Sequence, residues 1–157
     1  MIPPTRREVL VAMAATSLYP ALPAAFAAES AASPLCFTSA VEMAALIRAK
    51  KLSAREALAE HLKQIERVNP QVNAIVTLVA DQAIAAAARA DEMQARGEPL
   101  GPLHGLPVAH KDLIETAGIR TTFGSLIYKD NVPTEDNILV TRMRQAGAIH
   151  VGKTNTP

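Results

Sequence analysis

This chain of 157 residues contains little cysteine and few aromatic residues, and its net charge is close to zero. Cys36 is the only cysteine, so neither an intramolecular disulfide nor a cysteine-based metal cluster can form. Tryptophan is absent, and tyrosine and phenylalanine number only two and three, so a folded core must be aliphatic. The formal net charge is +1 and no long basic cluster occurs, so we expect no nucleic-acid partner.

The residues that are present have the composition of a globular protein. Hydrophobic residues make up 49% and charged residues 20% of the chain. The histidines are scattered without the close pairing of a zinc-binding helix, so we expect no metal and no other cofactor. They are His61, His104, His110 and His150.

Residues 1–27 have the pattern of an export signal. Arg6 and Arg7 directly precede an apolar, alanine-rich run, and small residues follow at the positions that a signal peptidase recognises, with cleavage expected between Ala27 and Ala28. This pattern resembles a bacterial twin-arginine signal. It predicts that the twin-arginine export machinery is a partner and that the mature protein is periplasmic or secreted, with no stable membrane insertion after cleavage.

Two alternatives remain for this segment. A transmembrane anchor is one, because the run nearly reaches the length that a bilayer requires, and a disordered tail with a chance arginine pair is the other. Pro20, Pro23 and the Ala-Phe-Ala sequence at residues 25–27 favour export. Residues 28–38 are interpreted as a linker, in which Cys36 is a small buried or linker residue.

From residue 39 onwards, helix signals alternate with strand signals. Ser39 with Glu42, and Ser53 with Glu56, each match the capping box that begins a helix. The first helix is predicted to end near Lys50 and the second to stop at residues 69–70, Asn-Pro.

Three short apolar segments, at residues 74–79, 107–111 and 148–151, predict strands. Two further helices are predicted, one at residues 82–96 between a capping Asp81 and Gly97, the other at residues 136–145. This alternation indicates a layered α/β domain. Because no closing element follows the last strand, we expect the chain to be a fragment.

Lys111 ends the second predicted strand. The alternation of side chains places Pro107, Ala109 and Lys111 on one face, and α/β sheets usually carry their chemistry at strand ends. Burial in an apolar crevice would favour the neutral amine, which can remove a proton from a serine. The alternative is a lysine paired with Asp112 or Glu115, and the residues alone favour that alternative.

Three motifs, which follow one another along the chain, favour the catalytic interpretation of Lys111 over the ion pair. Residues 101–113 (GPLHGLPVAHKDL), 121–125 (TTFGS) and 146–157 (AGAIHVGKTNTP) together resemble the N-terminal part of the amidase signature family. The resemblance covers residues 39–157 and implies a layered α/β/α fold with a central mixed sheet. It also implies that Lys111 is the catalytic lysine, whereas His110 is a variant position with no assigned role.

The resemblance implies hydrolysis of a small-molecule amide to a carboxylate plus ammonia or an amine. A serine attacks the carbonyl, a second serine in a cis peptide relays the proton, and the lysine is the base. In the family a glycine- and serine-rich loop carries both serines and follows the TNTP sequence, so we expect residues 39–157 to be a truncated domain that is inactive alone. Ser125 is interpreted as a turn residue, and Lys153 and Asn155 as structural. The Gly-Lys-Thr at residues 152–154 lacks the remaining glycine of a phosphate loop, so nucleotide binding is rejected.

Two other functions remain open. One is the amidase subunit of a tRNA-dependent amidotransferase, which shares these motifs but is hard to reconcile with export. The other is a non-catalytic helical or membrane-anchored remnant.

Overall fold

The computed structural model describes residues 33–157, in which helices alternate with strands as predicted. The elements are α1 (Ala40–Arg48), α2 (Ala54–Val72), β1 (Ile75–Leu78), α3 (Ala80–Ala95), β2 (Pro107–Lys111), α4 (Ile138–Gln145) and β3 (Ile149–Thr154). Short 3₁₀ turns occupy Pro34–Phe37 and Leu126–Tyr128. The predicted signal residues Arg6, Arg7, Ala27 and Ala28 lie outside the described residues.

The start of α2 follows the predicted capping box. Ser53 Oγ accepts a hydrogen bond from the Glu56 main-chain N at 3.1 Å, and Glu56 Oε2 accepts one from the Ser53 main-chain N at 2.9 Å. At the start of α1 only one half of the box forms, from the Glu42 main-chain N to Ser39 Oγ at 3.2 Å.

The predicted end of α2 at residues 69–70 is wrong. The helix continues through Pro70 to Val72, and Asn73 ends it in the left-handed conformation with a φ of 47°. Proline is tolerated here because it lies in the last turn and removes only one main-chain donor. Asn69 stabilises the exit, since its side chain binds both the main-chain N and O of Ile75, at 2.8 and 2.9 Å.

Other predicted boundaries also shift. Asp81 does not cap α3, which begins two residues earlier than predicted, at Ala80, after Val79 without a side-chain cap. Asn137 caps α4 by accepting a hydrogen bond from the Leu139 main-chain N at 3.0 Å, so α4 begins two residues later than predicted. β3 continues past residue 151 to Thr154, because pairing on both sides holds its glycine and lysine in the strand.

The sheet has the order β1-β3-β2, with β3 in the centre. β3 pairs antiparallel with β1 and parallel with β2, so the sheet is mixed and the predicted α/β class is confirmed. Gly152 of β3 pairs with Leu78 of β1. Its φ is +153°, and a Cβ at this position would collide with the main-chain O of Thr77.

The aliphatic core lies between the helices and one face of the sheet. Small side chains of α2 and α3 pack on the central strand, which lets the helices approach the sheet closely. This cluster comprises Ala54, Leu58, Ala83, Ala87, Ala90, Ile149 and Val151. A second cluster joins α1 to α2 and the segment before β2, and comprises Met43, Ile47, Leu52, Ala57 and Leu106. Within residues 33–157, none of the helices is both long enough and apolar enough to cross a membrane.

Candidate active site

Lys111 lies at the carboxyl end of β2, opposite Thr154 of β3. Its side chain is exposed, and its Nζ donates a hydrogen bond to the main-chain O of Asn155 at 3.2 Å. Among residues 33–157 it forms no ion pair with Asp112 or Glu115. The apolar crevice expected around this amine is therefore not formed by the described residues, since the edge of β2 away from β3 has no paired strand in that part of the chain.

Asn155 holds the acceptor for Lys111 in place. Its main-chain N donates to the main-chain O of Ala74 at 2.8 Å, and its side-chain Nδ2 donates to the main-chain O of Asn73 at 3.0 Å. The residue therefore ties the end of β3 to the turn between α2 and β1, which agrees with its predicted structural role. Its carbonyl oxygen remains available to the lysine.

Asp112 fixes the loop that follows β2. Its buried carboxylate accepts hydrogen bonds from the main-chain N of Thr122, at 3.1 Å, and from Thr122 Oγ1. The main-chain N of Phe123 donates to the main-chain O of Asp112 at 2.9 Å. Ser125 Oγ accepts from the Ile127 main-chain N at 3.3 Å and so begins the 3₁₀ turn, in agreement with its predicted role as a turn residue.

Lys153 is the buried lysine at this end of the sheet, with an exposed fraction of 0%. Its Nζ donates to the main-chain O of Ile114 and, at 3.0 Å each, to the hydroxyls of Thr116 and Thr121. Burial lowers its pKa, and the carboxylates of Asp112, Asp136 and Glu115 oppose this effect. Lys153 therefore anchors the loop after β2 to the sheet, as a structural role requires. Its location inside β3 also explains why residues 152–154 form no phosphate loop.

A histidine pair that the sequence analysis did not identify lies in the same two strands. His110 and His150 are 3% and 6% exposed, and their ring centroids are 4.6 Å apart with a tilt of 50°. Within residues 33–157, His110 Nε2 and both ring nitrogens of His150 have no hydrogen-bond partner. Burial lowers the pKa of both rings, that of His150 to about 4. The alternation of side chains along β2 and β3 indicates which face of the sheet each ring lies on, whereas the contact between the two rings depends on the register between these strands.

The described part of the chain places no group of three or more histidine, cysteine, aspartate or glutamate residues where they could hold a metal ion. At the ends of β2 and β3 the polar residues instead present the accessible amine of Lys111, which the Asn155 carbonyl holds by a hydrogen bond. The sequence model of the Amidase family matches residues 56–157, which include both strands. The chain belongs to the Amidase family.

Curated relatives in this family include enzymes of two kinds. The chain is 42% identical over 123 residues to an acylamidase from Rhodococcus erythropolis, an alignment that covers 78% of this chain and 26% of that protein. It is 46% identical over 109 residues to a glutamyl-tRNA(Gln) amidotransferase subunit from Synechococcus sp. (strain CC9605), which covers 69% of this chain and 22% of that protein. The chain thus spans about a quarter of the length of these amidase relatives.

Solved structures give the same assignment. A bacterial aryl acylamidase of the amidase signature family superimposes with a TM-score of 0.74 at 30% identity, covering 80% of this chain and 26% of that one. The peptide amidase of Stenotrophomonas maltophilia superimposes with a TM-score of 0.71 at 35% identity, covering 78% of this chain and 25% of that one. The amidase-signature fold predicted from the motifs is confirmed. The catalytic role of Lys111 stays a prediction.

Proposed function

We propose that the complete protein containing this chain is an amidase that hydrolyses a small carboxamide to a carboxylate plus ammonia or an amine. The observation that carries this proposal is the position of Lys111. It lies within the segment matched by the family and at the carboxyl end of a sheet strand, and its amine is accessible. Relatives named acylamidase and peptide amidase support the same reaction class.

In this proposal the amine of Lys111 acts as the base. The Asn155 carbonyl accepts one N–H of the side chain, which orients the nitrogen. The proposal assigns neither step to a serine of residues 33–157, so the serine that attacks and the serine that relays the proton would come from elsewhere in the complete protein.

Activity of the complete protein tests this role directly. Primary amides and anilides are offered as substrates, and release of ammonia or aniline is measured. We expect Lys111→Ala to lower kcat/KM by at least about 10³-fold, because the base is lost, and Lys111→Arg to fail equally, since guanidinium stays protonated. Lys51→Ala, an exposed lysine of the α1–α2 turn, is the matched control and should keep full activity. An active Lys111→Ala enzyme would remove Lys111 from the mechanism.

An amidotransferase subunit is the second candidate, favoured by the 46% identical relative. The two functions differ in what receives the ammonia. If the complete protein releases ammonia from glutamine only in the presence of partner subunits and glutamyl-tRNA, it is the amidotransferase subunit. If it folds but cleaves no amide under either condition, it is a non-catalytic remnant.

We also propose that the protein is exported to the periplasm or beyond, with Arg6 and Arg7 read by the twin-arginine machinery. The support is the sequence pattern alone. Replacing both arginines by lysine should retain the protein in the cytoplasm, whereas replacing Lys50 and Lys51 by arginine should not alter export. The exported protein should begin at Ala28. Unchanged localisation of the Arg6/Arg7 double variant contradicts this proposal.

A further inference from the structure

A cavity of about 310 Å³ opens beside the start of β3, away from Lys111. Its polar lining comes from Gln82 and Arg89 of α3, Arg144 of α4, and His150 of β3. Thr154, the partner of Lys111, is four residues further along β3, which corresponds to about 13 Å. The cavity is therefore separate from the candidate active site.

The arginines around this cavity offer hydrogen-bond donors that have no acceptor among residues 33–157. His150 forms part of the wall, but both of its ring nitrogens are buried and unpartnered within those residues. Arg144 uses its Nε to bind Asp136 at 2.8 Å, and its two terminal nitrogens have no acceptor in the described part of the chain. Arg89 forms no ion pair with any residue between 33 and 157.

The groups around this cavity carry a net positive charge. Two guanidinium groups line the cavity, and the carboxylate of Asp136 balances one of them. Lys153 adds a further positive charge near His150.

We propose that this cavity, whose wall includes His150, binds a small oxyanion, a carboxylate or a phosphate, held by the guanidinium groups of Arg89 and Arg144. Such a ligand presents acceptors only, which complements the unmatched donors, and its charge pairs with the uncompensated arginine. The site goes beyond the amidase proposal and does not depend on it.

Titration of the protein with sodium phosphate, and separately with sodium acetate, tests the proposal. The imidazole NMR signals of His150 are followed at pH 7, with sodium chloride adjusted to constant ionic strength. We expect saturable shifts with a dissociation constant on the order of 1 mM. Tighter binding of phosphate assigns a phosphate ligand and tighter binding of acetate a carboxylate. Shifts that do not saturate, or that chloride reproduces, overturn the proposal.

Arginine variants separate a specific site from general attraction of anions. Arg89→Gln and Arg144→Gln should each weaken binding at least about fivefold, as expected when a charge-assisted contact is lost. Arg142→Gln removes an exposed arginine of the same helix that does not line the cavity, and should change binding less than about twofold. Arg89→Gln decides the matter if Arg144→Gln fails to fold, because Arg89 has no ion pair to lose within the described residues. Equal loss in Arg142→Gln and Arg89→Gln contradicts the proposal.

Discussion

Acid should destabilise this fold through the buried ring of His150. The ring is 6% exposed, and burial is the largest cause that lowers its pKa to about 4. The charged groups of Arg144 and Lys153 lower that pKa further, as does His110, whereas Asp136 raises it. Arg89 of α3 lines the adjoining cavity and adds positive charge. The folded protein therefore resists protonation of this ring, whereas the unfolded chain takes up the proton at the ordinary histidine pKa of about 6.5.

The sign and size of the effect follow from this difference. The stability of the fold is complete above about pH 6.5 and falls as the pH drops towards 4, because the unfolded chain binds the proton first. For pKa values of about 4 and about 6.5, linkage gives a loss of about 2 kcal/mol between pH 7 and pH 5. His110 adds a loss of the same sign, because burial lowers its pKa too.

Urea denaturation followed by circular dichroism at pH 7 and pH 5 measures this loss. Piperazine and Tris buffers in sodium chloride avoid phosphate and carboxylate, which would bind the proposed site. His150→Phe fills the same space without titrating, so it should lose about 2 kcal/mol less than the wild type between the two pH values. At pH 7 the variant should be as stable as the wild type or more so, because it removes two polar atoms that have no partner within residues 33–157.

His61→Phe is the control for this prediction. His61 lies half-buried on α2, where its Nδ1 contacts the main-chain O of Ala57 at 2.8 Å. This variant should keep the full acid sensitivity of the wild type. If His150→Phe loses as much stability as the wild type between pH 7 and pH 5, the buried ring is not the acid-sensitive group and the reasoning is refuted.

Three further substitutions test the packing of the sheet and its supports, each by urea denaturation of the variant. Gly152→Ala should lower the free energy of unfolding by at least about 3 kcal/mol, because the added Cβ meets the Thr77 carbonyl. Gly97→Ala is the control: it has open space around it and should lower the free energy of unfolding by only about 1 kcal/mol, because of its positive φ. Lys153→Met should lower the free energy of unfolding by about 2 kcal/mol, because it leaves the buried acceptors of the amine unpaired. Lys63→Met breaks only an exposed ion pair with Glu60 and should lower the free energy of unfolding by less than about 1 kcal/mol. Ser53→Ala should lower the free energy of unfolding by about 1 kcal/mol, because the capping box is lost. An unchanged midpoint of urea denaturation would show that the capping box contributes nothing to stability.

Local signals predicted the parts of the fold that depend on neighbouring residues. The bounds of β2, the capping box at Ser53 and the helix stop at Gly97 each follow from a few adjacent side chains. Pro70 misled the prediction because its effect depends on its position within the helix. A proline in the last turn leaves most of the helix intact, and Asn69 stabilises the exit through Ile75.

Features that depend on contacts distant in sequence were missed. The continuation of β3 through Gly152 and Lys153 requires pairing with both neighbouring strands, and neither residue favours a strand by itself. Burial of Lys153 requires the loop after β2 to return over its amine. The contact of His110 with His150 requires the register of β2 on β3. The candidate position of Lys111 could be predicted, but its degree of burial could not.

The two lysines at this end of the sheet show why a lowered pKa does not by itself identify a catalytic base. Lys153 has the lowered pKa, yet its amine is enclosed and donates to three oxygens, so no substrate or serine can approach it. Among residues 33–157, Lys111 makes a single hydrogen bond, to the Asn155 carbonyl, and its amine remains accessible. A base must reach the proton that it removes, and of these two amines only that of Lys111 can do so. Geometry therefore supports Lys111, and not Lys153, as the base of the proposed reaction.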